Sequence, residues 1–443
     1  MYGSQTVISK IISLALVSIY LKFLGPEDFG LYDYILAVGV FLGVTVSLEL
    51  SQSLHRFLPE LKNEQRITNA IFYNSFLIVA MNFFLLLSIT YFFSDFIQAK
   101  FLAGPSTKHT TMLALLFFTL NALFYIQSSF FVALQHVKYN FVHNVGYQLL
   151  SGGFAVFSFV WFEASIDVLL FSHAFALLIL IIISGIYIHS KIGFIGKKVI
   201  DFGQLKIILA FSLPLIPSSL GVILSTFADR IMIKEFLGYD ELGVYGLGLR
   251  VASIGMVLVM AVRTAITPMI YESYENPITT ERLALLFNMY IAVMVLTVTL
   301  LPLYSLRLIN LIANETFSNT TFLLPSMVMF TFVSNAYMFF PGLFIRKKTI
   351  LLSIISLIGT SVNILLNLIF IPKFGLIGAA HATLASGVFT FSCQAYFSNK
   401  YYPMYKFHWL IFILSAVIAF YTIRFLVDIN YLHPIKLLKS IIN

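Results

Sequence analysis

Two ten-residue stretches with closely similar sequences decide the fold of this chain. Residues 23–32 read FLGPEDFGLY, and residues 236–245 read FLGYDELGVY. They align without a gap at an offset of 213 residues, from Phe23 to Phe236, and five of the ten positions are identical. An internal match of this kind predicts that the chain contains two homologous halves.

Each stretch carries the signals that end one helix and begin the next. An apolar helix ends at Leu-Gly, so we expect Gly25 and Gly238 to adopt the left-handed conformation of a helix C-terminus. Two acidic residues follow in each copy, where the helix dipole favours negative charge. The Gly-x-Tyr at the end of each stretch fits close helix packing and an interfacial aromatic anchor.

The composition places these helices in a membrane. Of the 443 residues, 59% are hydrophobic and 10% are charged, whereas a soluble domain has about 25% charged residues. Mean hydropathy is +0.93. These values exclude a soluble enzyme and a disordered chain, and the single cysteine, Cys393, excludes a disulfide scaffold. The class that remains is an all-α polytopic membrane protein.

Thirteen apolar segments are long enough to cross a bilayer as helices. The alternating pattern of a membrane barrel is absent, so strands are not expected. The first segment, which is apolar from Val7 onward, predicts a span and not a cleavable signal. The segments cover residues of about 5–24, 30–54, 67–93, 110–134, 142–162, 166–189, 207–236, 242–270, 283–306, 320–345, 349–371, 376–398 and 408–427.

The distribution of basic residues sets the predicted orientation. Fifteen Lys and Arg residues end or follow even-numbered spans, against seven for the odd-numbered spans one to eleven. Because Lys and Arg collect in cytoplasmic loops, we expect a cytoplasmic N-terminus. The basic tail, with Arg424, Lys436 and Lys439, conflicts with an odd number of spans. It predicts an interfacial tail or a missing fourteenth span, in a chain that is short at one or both ends.

The repeat and the spans together predict two six-helix lobes. The first lobe covers residues 1–189, a cytoplasmic linker covers 190–206, the second lobe covers 207–398, and residues 399–443 add a span and a tail. Because six is even, the lobes have parallel topology, related by an axis along the membrane normal. Transporters built in this way bind substrate between the lobes and rock one lobe against the other.

Six stretches, two of which contain the repeated motif, indicate a family. They are LKFLGPEDFGLYDYI (21–35), SLELSQSLHRFLPE (47–60), FSLPLIPSSL (211–220), FADRIMIKEFLGYDELGVYGLGLRVASI (227–254), LIFIPKFGLIGAAHATL (368–384) and KYYP (400–403). The chain resembles the polysaccharide-repeat flippases, the Wzx-type transporters of O antigen and exopolysaccharide. Their superfamily also holds the MATE drug exporters and the lipid II flippases.

The resemblance implies a MATE-like, two-lobed carrier that works by alternating access and is not an enzyme. The implied substrate is an undecaprenyl-pyrophosphate-linked oligosaccharide, moved from the cytoplasmic to the outer leaflet of the bacterial inner membrane. The implied partners are membrane lipids, a polysaccharide polymerase and a chain-length regulator, and not nucleic acid.

Other functions compete with this one. A MATE-type exporter of organic cations would need an acidic cavity, whereas basic residues outnumber acidic ones among the charges predicted inside the spans here. An O-antigen polymerase would be an enzyme with a large outer loop, but the longest predicted outer loops, 94–109 and 307–319, are too short to fold alone. A purely structural membrane protein would not need charges inside its spans.

Four basic residues are candidates for binding the substrate: Lys10, Arg56, Arg230 and Arg250. A cation compensates pyrophosphate in a low-dielectric cleft, and arginine offers paired, planar donors. Three of them also have a structural interpretation. Lys10 fits a lysine that snorkels to the interface, and Arg56 fits a residue that marks the cytoplasmic end of span two. Arg230 fits a polar residue that packs between spans. Arg250 has no acidic residue one turn away, so it needs a partner from another helix or from a ligand.

Glu49 and Asp229 are the candidates for coupling a proton or sodium ion to transport. A carboxylate within a span is costly unless it meets a partner or a wet cavity. Glu49, Ser53 and Arg56 are expected to share one face of a helix, as a cavity lining or as an internal charge pair. Asp229 and Arg230 are adjacent, so they point in different directions and do not simply pair.

The remaining polar signals predict no site. Lys22 and Asp33 flank the first hairpin and are interpreted as interfacial. The nine histidines lack metal-ligand spacing, and no phosphate-binding glycine loop or nucleophile motif occurs, so no cofactor or metal is expected. A second, weaker internal match aligns FSHA (171–174) with AAHA (379–382), so that His173 corresponds to His381.

Overall fold

The chain folds as helices joined by short turns. The computed structural model describes residues 2–61, 64–101, 106–162, 164–192 and 202–403, and these ranges contain no strand. The all-α prediction is confirmed, whereas the two parallel six-helix lobes stay a prediction. Residues 193–201 of the predicted linker and the predicted span at 408–427 lie outside the described residues.

Contacts between Cα atoms divide the chain into two compact units, Met1–Arg230 and Ile231–Asn443. The first unit contains eight helices and most of a ninth, which runs on into the second unit. They are α1 (Tyr2–Phe23), α2 (Pro26–Ser47), α3 (Leu50–Phe57), α4 (Gln65–Phe101), α5 (Lys108–Ala133), α6 (Val137–Trp161), α7 (Ile166–Ile192), α8 (Phe202–Ser212) and α9 (Ile216–Leu237).

The second unit contains the remaining α-helices of the described chain. They are α10 (Tyr239–Ala252), α11 (Gly255–Ser273), α12 (Pro277–Ile312), α13 (Leu324–Asn335), α14 (Gly342–Ile345) and α15 (Thr349–Tyr401). Helix α15 breaks at Gly375, where φ is +60° and only glycine is unstrained. The break separates the two apolar segments predicted at 349–371 and 376–398.

Several of these helices can cross a bilayer. Among the described residues, eight helices are long and apolar enough to span a membrane. The number is nine if the bent pair Glu315–Phe322 and Leu324–Phe339, which meet at 51°, counts as one span. The protein is therefore a multi-pass membrane protein.

The two copies of the repeated motif differ at their glycine. Gly238 has a positive φ, +97°, but its ψ of −175° lies outside the left-handed helical region, and Gly25 has φ −74° and ψ 173°. The left-handed prediction is wrong for Gly25 because Pro26 follows it, and a residue before proline is restricted to extended conformations. In both copies the next helix begins with two acids in its first turn, Glu27 and Asp28 in α2 and Asp240 and Glu241 in α10.

Close packing of α2 on α5 depends on a glycine. A Cβ atom on Gly39 would overlap the buried ring of Phe118. Gly39→Leu is therefore expected to lower the free energy of unfolding by about 1–3 kcal/mol, the usual cost of overpacking a core. Thermal unfolding of the purified protein in detergent measures the change.

Gly43, one turn further along α2, is the matched control. A Cβ atom there would have no neighbour within 4 Å, so Gly43→Leu is expected to leave the melting temperature unchanged or raise it. Equal destabilisation by both substitutions would show that the α2–α5 contact does not need a glycine.

Candidate functional site

A buried ion pair joins α2 to α9 within the first unit. The Arg230 Nε donates a hydrogen bond to Asp33 Oδ2 at 2.7 Å, and the two side chains are 15% and 5% exposed. The Arg230 guanidinium also lies over the ring of Phe227, 4.7 Å from its centroid, within the range of a cation–π contact. The fold thus holds an arginine in place with a carboxylate and an aromatic ring.

Asp33 is the partner that the sequence-based interpretation missed. It was interpreted as interfacial, whereas the structure buries it against a cation 197 positions away along the chain. A charge inside an apolar span needs a partner. Asp33 and Arg230 have opposite signs and both lie in apolar spans, and matching them by sign is the signal that could have found the pair.

The site of Glu49 is a break between α2 and α3. Leu48 and Glu49 have φ of 50° and 55°, in the left-handed region that side chains disfavour. Glu49 is only 7% exposed, and its carboxylate lies close enough to Tyr125 of α5 to interact with it electrostatically. Strained backbone of this kind persists only where surrounding structure holds it, often at functional sites.

The break changes the predicted relation between Glu49 and Arg56. The expectation that they share one face of a continuous helix is wrong, because Glu49 is the residue that caps the start of α3. Arg56 forms an ion pair with Glu60 one turn later, and both side chains are at least half exposed. An exposed pair of this kind contributes little to stability.

The other predicted residues belong to three different helices. Asp229 is buried in α9 beside Arg230. Arg250 lies in the last turn of α10, in the second unit, where its charge is favourable at the helix C-terminus. Lys10 lies in α1, and its side chain is outside the described residues.

A second contact holds α3 against α8. The Ser53 hydroxyl donates to the carbonyl oxygen of Ile208 at 2.8 Å, and the rings of Phe57 and Phe211 lie 5.5 Å apart. Ser53 belongs to the predicted first lobe and Ile208 to the predicted second lobe. The Asp33–Arg230 pair also links residues assigned to different lobes.

The ion pair shows what kind of group the Arg230 side chain can bind. An arginine has five N–H donors and binds carboxylate and phosphate groups with the same planar geometry. The donors that bind the Asp33 carboxylate are therefore also the donors that a phosphate group requires.

The chain matches a protein family and one curated relative. Residues 1–274 match the profile of the family described as polysaccharide biosynthesis protein. An uncharacterized membrane protein of Methanocaldococcus jannaschii is 23% identical over 374 residues, covering 80% of this chain. The match covers 66% of that protein, just under two thirds of its length.

Solved structures with the same fold are transporters. The lipid II flippase MurJ, in an inward-closed conformation, has a TM-score of 0.65 and 16% identity, over 97% of this chain and 98% of that one. An inward-facing multidrug resistance MATE family transporter has a TM-score of 0.64 and 14% identity, over 88% and 94%. A MOP superfamily transporter from Pyrococcus furiosus has a TM-score of 0.55 and 14% identity, over 90% and 94%.

At these identities the structural similarity establishes the fold, and the match over residues 1–274 establishes the family. This multi-pass membrane protein therefore belongs to the polysaccharide biosynthesis protein family and has the fold of MurJ and the MATE transporters.

Proposed function

We propose that the protein is a flippase for an undecaprenyl-pyrophosphate-linked oligosaccharide. It moves this lipid from the cytoplasmic to the outer leaflet of the bacterial inner membrane by alternating access, with its N-terminus in the cytoplasm. Membership of a polysaccharide biosynthesis family supports a saccharide cargo, and the MurJ-like fold supports a lipid-linked one. A polysaccharide polymerase and a chain-length regulator would act on the flipped units.

The observation that carries the proposal is the buried pair of Arg230 and Asp33. The pyrophosphate of such a lipid carries two negative charges and several acceptor oxygens, and it competes with Asp33 for the guanidinium. Charge-assisted hydrogen bonds of this type are about twice as strong as neutral ones. Binding of the substrate would therefore release α9 from α2, which links recognition of the lipid to the conformational change.

The other cations and acids keep narrower roles in the proposal. Lys10, Arg56 and Arg250 are proposed to compensate substrate charge at other stages of its path. Glu49 and Asp229 are proposed to bind a coupling ion. The strained backbone at Glu49 and the burial of its carboxylate support this role.

A MATE-type exporter is the second candidate, because the same ion pair supports it. A cationic substrate would compete with Arg230 for Asp33 and would need the carboxylate more than the guanidinium. Under this alternative Asp33→Asn stops transport and Arg230→Gln does not. The flippase proposal predicts the larger loss for Arg230→Gln.

The test uses cells that lack this gene and keep their sugar-assembly genes. Radiolabelled lipid-linked oligosaccharide is followed in each leaflet. We expect complete units to accumulate on the cytoplasmic leaflet, and the wild-type gene, but not the Arg230→Ala gene, to relieve the accumulation. Single units that reach the outer surface but stay unpolymerised would overturn the proposal and favour an O-antigen polymerase.

A further inference from the structure

A buried histidine bridges two helices of the first unit through tyrosine hydroxyls. The Nε2 of His173, on α7, lies 3.2 Å from the hydroxyl of Tyr32 on α2, and its Nδ1 lies 2.8 Å from the hydroxyl of Tyr147 on α6. His173 is 7% exposed. Its ring is also 5.5 Å from that of Phe117 on α5 and 6.2 Å from that of Tyr20 on α1.

Tyr20 adds a hydroxyl that the fold does not use. The Tyr20 side chain is 2% exposed, and its hydroxyl has no hydrogen-bond partner among the described residues. It lies close enough to the hydroxyls of Tyr32 and Tyr147 to interact with both electrostatically. A buried polar group without a hydrogen-bond partner costs free energy, so we expect this hydroxyl to have a functional role. We call His173, Tyr20, Tyr32 and Tyr147 the His173 cluster.

The partners of His173 allow a proton to pass through the ring. A neutral imidazole donates from one nitrogen and accepts at the other, and a tyrosine hydroxyl can do either. The cluster can therefore hold either neutral tautomer after rotation of hydroxyl groups alone. A proton that arrives at one nitrogen can leave from the other.

His143 on α6 shows the contrasting, structural arrangement. Its Nδ1 lies 2.7 Å from the Ser184 hydroxyl, and its Nε2 lies 3.2 Å from the carbonyl oxygen of Phe124. A carbonyl only accepts, so the Nε2 proton is fixed and cannot pass on. The two buried histidines therefore differ in the one property that a proton relay requires.

No formal charge faces His173 from the helices that pack against it in the described structure. The facing groups are Tyr20 on α1, Tyr32 on α2, the Phe117 ring on α5 and Tyr147 on α6. Asp33 follows Tyr32 on α2 but is paired with Arg230.

We propose that the His173 cluster is a proton site of the transport cycle, in addition to the carboxylates Glu49 and Asp229. The inference rests on the proposed flippase function. In the state seen here the ring is enclosed by aromatic side chains, and a charged imidazolium would lack the solvation it needs. Proton uptake therefore favours a state in which the cluster opens to water. A ligand that binds one of two states more tightly shifts the equilibrium toward that state.

Helix α2 connects the proton site to the substrate-binding pair. It carries Tyr32, which is hydrogen-bonded to His173, and at the next position Asp33, which is paired with Arg230. Opening of the cluster displaces Tyr32 and acts on the ion pair through the same helical turn. Proton binding and phosphate binding are thereby linked, and the linkage is reciprocal.

The test measures transport and proton movement together in proteoliposomes. The probe is the lipid-linked oligosaccharide extracted from the source cells, and a pH-sensitive dye reports the lumen. For one proton per cycle, a gradient of one pH unit is expected to change the outer-to-inner ratio of substrate by about tenfold. His173→Gln keeps a donor and an acceptor but does not titrate. For this variant the outer-to-inner ratio of substrate is expected to be independent of the pH gradient, and no proton flux is expected.

His143→Gln is the matched control and is expected to keep the wild-type response. The proton-site proposal is overturned if His173→Gln retains the tenfold response. It is also overturned if wild-type protein flips substrate without any response to the gradient, although the flippase function then stands. Wild-type protein that flips no substrate at any pH contradicts the flippase function itself.

Discussion

Arg230→Ala is expected to slow transport severely and to destabilise the fold by about 3–5 kcal/mol, because it leaves the buried Asp33 carboxylate without its cation. The transport loss follows from the proposed contact with pyrophosphate, since charge-assisted hydrogen bonds are worth about 1.5–3 kcal/mol each, or roughly ten- to a hundredfold in rate. Unfolding in detergent and leaflet transport in proteoliposomes measure the two effects.

A neutral double variant separates stability from transport. Asp33→Asn with Arg230→Gln removes both buried charges and allows a hydrogen bond between amides. Its stability is expected to return to within about 1–2 kcal/mol of the wild type, because a buried pair contributes little over a neutral replacement. Its transport is expected to stay lost, because no guanidinium remains for the substrate.

Lys108→Ala is the control for loss of an ion pair as such. Lys108 pairs with Asp95 at 2.8 Å, and both side chains are more than half exposed. The substitution is expected to change stability by less than about 1 kcal/mol and to leave transport intact.

The double variant with Asp33→Asn and Arg230→Gln provides the contradicting outcome. If it transports at the wild-type rate, the assignment of Arg230 to substrate binding is wrong.

A disulfide between α3 and α8 is expected to lower the transport rate at least tenfold, and the effect is expected to be reversible. Ser53→Cys with Ile208→Cys, in a Cys393→Ala background, replaces the two residues whose hydrogen bond joins these helices. If α8 moves with the second lobe, this contact must open in each cycle. Oxidation should lock the protein, and a reductant should restore transport.

The matched control cross-links two helices of the predicted first lobe. The side-chain nitrogen of Gln127 on α5 donates to the carbonyl oxygen of Ile181 on α7 at 3.0 Å, which is the same kind of contact. Oxidised Gln127→Cys with Ile181→Cys is expected to transport as fast as its reduced form. Equal transport by the oxidised Ser53–Ile208 pair would show that α3 and α8 do not separate.

The fold class was predictable because it depends on local composition. Long apolar segments give the helices, and acidic residues after Leu-Gly give the helix starts at Pro26 and Tyr239. The conformation of Gly25 was also within reach, since the effect of the following proline is local.

The candidate site was predictable only in part, because its contacts join distant segments. Arg230 stood out as an arginine in an apolar span, but its partner Asp33 lies 197 positions away. The break at Leu48 and Glu49 has no glycine or proline to signal it, so a continuous helix was the reasonable expectation. The hydrogen bonds of His173 likewise depend on tyrosines from two other helices.

The most direct test of the account is transport by the purified protein. The protein is reconstituted into liposomes with lipid-linked oligosaccharide from the source cells, and a membrane-impermeant lectin or glycosidase reports the outer leaflet over time. We expect wild-type protein to equilibrate the lipid between leaflets and Arg230→Gln protein to do so at least tenfold more slowly. Equal rates for the wild type, Arg230→Gln and protein-free liposomes would contradict the flippase function.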